Sequence, residues 1–100
     1  ADLRSLDAKF DPGRSEVVVA LFPTERAFVQ MGVYSRGRLI RPLAARWTVE
    51  PGPNQVLWDL TDGDGMRMGA GSYAIRVEIE PTYSSYTRFK KRFERTVEIR

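Results

Sequence analysis

Along most of this 100-residue chain, short runs of β-branched and aromatic residues alternate with polar ones, the period of two that belongs to half-buried strands. Residues 16–22 put Val17, Val19 and Leu21 on one face and stop at Pro23, too short and too β-prone for a helix. Residues 28–34 place Val29, Met31 and Val33 on one side, with Phe28, Gln30 and Gly32 on the other. Ser35-Arg-Gly-Arg reads as a tight turn around Gly37 that leads into a short strand over 39–41. Pro51-Gly-Pro-Asn is a loop signal, followed by Val56, Trp58 and Leu60 alternating with Leu57 and Asp59. The cleanest alternation covers 72–80, where Tyr73, Ile75, Val77 and Ile79 oppose Arg76, Glu78 and Glu80 before Pro81. A last strand over 93–99 turns Phe93, Val97 and Ile99 inward. Arg95 shares that inward parity, which calls for a sheet edge or barrel rim where a guanidinium escapes to water.

No window combines helical periodicity with a cap and a stop. A helical turn is conceivable only within 39–49, and Pro42 argues against a long one. Six or seven short strands separated by turn signals predict an antiparallel sandwich, with a small closed barrel as the rival. One hundred residues suffice for a single two-layer core. No apolar run approaches the roughly 18 residues of a membrane-spanning helix.

The chemistry is narrowed by what the composition lacks. The chain has no His and no Cys, which removes the commonest general base, the commonest zinc ligand, thiolate chemistry and disulfides. Glu78 and Glu80 share an outward face beside Arg76, where salt-bridged exposure is a simpler account than catalysis. The expectation is a protein that is not an enzyme and needs no cofactor.

The formal charge is +3, but Arg88, Lys90, Lys91, Arg92 and Arg95 are concentrated in one segment with Glu94. Such a cluster suits an acidic glycan or nucleic acid, with Tyr83, Tyr86, Phe89 and Phe93 as stacking platforms. Its simpler reading is a solvated edge strand on which cations discourage unwanted pairing.

Asp59, Asp62 and Asp64 among glycines invite a calcium reading. The twelfth position counted from Asp59 is Ala70 rather than Glu, however, and turn formation explains the spacing. Asp59 and Asp62 are placed to accept hydrogen bonds from the turn that follows, and Gly63, Gly65, Gly69 and Gly71 to supply positive φ. The same Gly-rich stretch lacks Gly-Lys-Ser/Thr and a following helix, so no phosphate cradle is expected. Trp58 offers a large apolar surface to the gap between sheets. Tyr73 would anchor the next strand with its ring inside and its hydroxyl at the rim.

These features also occur in a familiar order. Phe10-Asp11-Pro12 precedes the first strong strand, and Val33-Tyr34-Ser35-Arg36 runs into Gly37-Arg38-Leu39-Ile40-Arg41. Pro51-Gly52 and Trp58-Asp59 follow, and then Asp62, Gly65, Gly71 and Tyr73. Over residues 10–80 the chain resembles the immunoglobulin-like, fibronectin-type-III-related domain of bacterial flagellar hook-capping proteins and many other bacterial secreted and surface proteins. It departs from that pattern at Leu60, where the family usually has Gly, and in the stretch from Pro81 to Arg92, which is longer.

The resemblance implies an all-β, immunoglobulin-like antiparallel β-sandwich of about seven strands over residues 12–100, preceded by an N-terminal arm, 1–11. Its fold motif would be Trp58, Asp59, Asp62, Gly65, Gly71 and Tyr73. It further implies a non-catalytic structural or protein–protein interaction module of an extracellular or cell-surface assembly: a cap, a filament subunit or an accessory domain. Partners would be other protein subunits, or further copies meeting through edge strands or the arm. The alternative is a polyanion-binding module built on the basic segment 88–95.

Overall fold

A computed structural model describes residues 2–82 and 90–100. The strands are β1 (Leu3–Asp11), β2 (Glu16–Pro23), β3 (Ala27–Ser35), β4 (Arg38–Val49), β5 (Asn54–Trp58), β6 (Gly71–Pro81) and β7 (Lys91–Ile99). They form two antiparallel sheets, β1-β2-β5 and β4-β3-β6-β7. Among the described residues no ladder joins the two sheets into a barrel, so the arrangement is that of a β-sandwich. Among the described residues no helix is long and apolar enough to cross a membrane.

The alternation in sequence decides what fills the space between the sheets. Val17, Val19 and Leu21 of β2 face Val29, Met31 and Val33 of β3 and Ile75, Val77 and Ile79 of β6, all buried. Trp58, also buried, closes one end of this layer. A side chain of that size is worth about 3–5 kcal/mol against Ala when fully enclosed.

Residues 3–11, expected to lie outside the sandwich as an arm, form β1 and pair with β2 from Leu3↔Pro23 to Asp11↔Glu16. Leu3 and Leu6 have opposite parity in the sequence, which disguises a strand. A bulge between Leu3 and Ser5 resets the register. Leu6 is then buried, and Leu3, Ala8 and Phe10 pack against the core.

The short strand expected over 39–41 is the opening of the twelve-residue β4, with no helical turn. Pro42 is tolerated because β4 is an edge strand. Repeated register shifts and a positive φ at Arg46 (48°) bend it. β5 stops at Trp58 rather than reaching Leu60, because Leu60 adopts φ 65° and leaves the extended region.

β7 pairs with β6 from Gly71↔Ile99 to Ile79↔Lys91, so the final strand pairs within the chain. Arg95 does sit at a sheet edge, and its guanidinium Nε donates to the Leu6 carbonyl of β1 at 3.0 Å. Lys91 Nζ lies 3.0 Å from Asp2 Oδ2. These two contacts clasp the β1 and β7 sides of the sandwich together.

Candidate functional site

The motif residues converge on the β5–β6 connection, residues 59–70. The Trp58 and Tyr73 rings meet edge to face, with centroids 5.3 Å apart at 66°. Each uses its polar atom on the connection itself. Trp58 Nε1 donates to the Thr61 carbonyl at 2.8 Å, and the Tyr73 hydroxyl donates to the Gly69 carbonyl at 2.7 Å. Both buried rings are thereby satisfied without water.

Leu60 is buried beside them, and its carbonyl accepts from the Met68 N–H at 2.7 Å. Inside this clasp the Asp62 N–H donates to the Met66 carbonyl and the Gly65 N–H to the Asp62 carbonyl. Asp62 Oδ1 accepts from the N–H groups of Asp64 and Met66, both at 2.9 Å. Gly65 (φ 84°) and Gly71 (φ 153°) hold the backbone conformations that an L side chain disfavours. Gly63 and Gly69, expected to do the same, are not at positive φ.

Asp59 Oδ1 accepts from the Thr61 hydroxyl at 2.5 Å and from the Thr61 N–H at 3.2 Å. The hydroxyl bond above all, with the N–H and the Arg41 charge behind it, holds the Asp59 carboxyl below its ordinary value. Arg41 reaches over from β4, its Nη1 donating to Thr61 Oγ1 at 2.6 Å and to the Asp62 carbonyl at 3.2 Å. The Gly63 N–H donates to the Ile40 carbonyl at 2.8 Å. One connection of the three-stranded sheet is therefore bolted to the edge of the four-stranded sheet.

Of the carboxylates weighed for calcium, Asp59 and Asp62 thus turn an oxygen toward backbone and hydroxyl donors. Among the described residues no group of three or more carboxylates comes together in a way that holds a metal ion. Sequence reasoning placed Asp59 and Asp62 correctly as turn acceptors. It missed Arg41 and Thr61, whose separation of 20 residues leaves no local signal.

Among the described residues the basic segment does not present one cationic face. Lys91 pairs with Asp2, whose carboxyl is held low chiefly by that hydrogen bond. Arg95 is spent on the carbonyls of Leu6 and Glu94. Lys90 Nζ lies 4.0 Å from Glu78, and Glu94 is taken by Arg76 at 3.0 Å. Arg92 has no ion pair among the described residues, and Phe93 packs against the core rather than offering a stacking surface. Arg88, Tyr83, Tyr86 and Phe89 lie outside the described residues.

On the outer face of the four-stranded sheet the aromatic rings are likewise covered. The Arg76 guanidinium sits 4.0 Å from the Tyr34 ring centroid, and Arg46 4.4 Å from that of Phe28. Compared with known proteins, the chain matches no family model, and the search of curated proteins finds no match.

Proposed function

We propose that this domain is a non-catalytic, immunoglobulin-like module that works by protein–protein contact in a bacterial extracellular or cell-envelope assembly, as cap, filament subunit or accessory domain. The observation that carries the reading is the use made of the motif. Trp58, Asp59, Asp62, Gly65, Gly71 and Tyr73 are all spent on building one connection, so their role is to fix a scaffold.

The immunoglobulin-like assignment draws support from Tyr73. It stands near the start of the sixth strand and bonds a carbonyl four residues upstream, the geometry of the tyrosine corner in such sandwiches. The strand order supports it too. β1-β2-β5 and β4-β3-β6-β7 differ from a constant-type immunoglobulin domain only in that the fourth strand lies beside the third.

A polyanion-binding role for the 88–95 segment is less favoured, because Lys90, Lys91 and Arg95 already have partners within the chain. Light scattering and electron microscopy of the native protein over a concentration series, paired with heparin and single-stranded nucleic acid titrations, test the proposal. Oligomers or filaments that persist in salt support it. A monomer that binds polyanion, with affinity falling steeply as salt rises, overturns it.

A further inference from the structure

The two sheets have four edge strands, β1, β5, β4 and β7, and three of them carry devices against pairing with another chain; β1 has its bulge between Leu3 and Ser5 and the charges Arg4, Asp7 and Lys9. β4 has Pro42, register shifts, a positive φ at Arg46, and the cations Arg38, Arg41 and Arg46. β7 is lined with Lys91, Arg92 and Arg95, and it lies against β1 through the Arg95–Leu6 and Lys91–Asp2 contacts. Charges, proline and bulges of this kind are how edges are kept from adding strands.

β5 has none of them. Asn54-Gln-Val-Leu-Trp contains no charge and no proline, no residue at positive φ, and pairs with β2 without a register shift. Among the described residues its backbone makes no further ladder on the side away from β2. Gln55 and Leu57 point outward from it, and Leu57 is 53% exposed, one of the few large apolar side chains left in solvent.

We infer that β5 is a self-pairing edge: two copies of the domain join β5 to β5 antiparallel about a twofold axis, fusing two three-stranded sheets into one of six strands. This rests on the reading of the domain as a protein–protein interaction module and names its partner as a second copy. Charge selects that occupant. β4 or β7 paired with itself brings like charges close together, whereas β5 meets itself with uncharged residues throughout. The register that uses all five residues is centred on Val56. It sets Asn54 against Trp58 and Gln55 against Leu57, with the two Leu57 side chains on the diagonal, about 7–8 Å apart and within contact range. Leu57 already neighbours Val18 across the β2 ladder, so the joined face carries that apolar row from both copies.

Five residues of ladder bury less than the roughly 1,200 Å² of a standard stable interface. The dimer is therefore expected in concentrated solution or within a larger array, not at nanomolar concentration. Sedimentation equilibrium across a wide concentration range tests it with two double variants at the outward positions, each checked by its thermal melt. Gln55→Lys/Leu57→Lys sets ammonium against ammonium twice in the proposed register and should weaken association at least about tenfold. Gln55→Glu/Leu57→Lys sets carboxylate against ammonium twice and should restore it. A wild-type monomer at every concentration overturns the inference, as does association that both variants leave unchanged. The second result would leave assembly standing through another surface. Only a monomer that also binds polyanion would remove the functional reading with it.

Discussion

Leu60 shows how one residue can carry opposed demands. Its φ of 65° is left-handed, which costs a residue with a β-carbon about 1–2 kcal/mol. The residue is only 2% exposed and belongs to the same buried cluster as Trp58 and Tyr73, which returns more than that strain costs. Glycine at this position would relieve the backbone and empty the pocket. Replacing Leu60 by either Ala or Gly should therefore destabilise by roughly 2–5 kcal/mol, the usual range for losing a buried Leu. The order of the two variants isolates the backbone term. At an ordinary strand position Gly is the worse by about 0.5–1 kcal/mol, but at position 60 Leu60→Gly should melt above Leu60→Ala. Urea unfolding of both variants measures this, and an Ala variant more stable than the Gly variant would mean the left-handed conformation is not present in solution.

At the scale of elements, legibility followed the regularity of the alternation. β2, β3 and β6 each keep strict parity and were readable almost to their ends, since every inward position is apolar and every break is a proline or turn. Within the candidate site the turn-forming Asp59 and Asp62 were readable for the same local reason. β1 and β4 were hidden by bulges, because an inserted residue inverts the parity on which the reading depends. The Arg41 anchor was hidden by its distance in sequence from Thr61.

That β1 belongs to the sheet has a measurable consequence. Deleting residues 1–11 removes Leu6 from the core and uncovers the whole edge of β2, Glu-Val-Val-Val-Ala-Leu-Phe-Pro. An apolar, β-branched edge is a template for aggregation. The truncated chain should lose cooperative unfolding or precipitate, as followed by circular dichroism and turbidity. A truncated chain that stays monomeric with an unchanged melt would return the segment to the status of a detached arm.

For the molecule as a whole, pH separates the contacts that hold the two sheets together. There is no His, so no side chain with an ordinary pKa titrates between about pH 5 and 8, and stability should be flat there. Asp59 is held below its usual value first by the Thr61 hydroxyl, and Asp2 first by Lys91. A carboxyl depressed in the folded state contributes stability above its unfolded value, near 3.9, and loses it as pH falls through the folded value. Arg76 is shifted upward, chiefly by Glu94, and stays charged throughout this range. The melting temperature should therefore hold from neutrality to about pH 5 and fall below about pH 4. Because both carboxylates are exposed, added salt should soften the fall. Thr61→Val removes the hydroxyl that holds Asp59 down and the acceptor of Arg41, so this variant should melt lower at pH 7 yet lose less on acidification. Wild type and variant falling in parallel would show that Asp59 does not owe its low pKa to the Thr61 hydroxyl, leaving the Arg41 charge beside it and the Asp2–Lys91 contact between β7 and the N-terminal end of β1 as sources of the acid sensitivity.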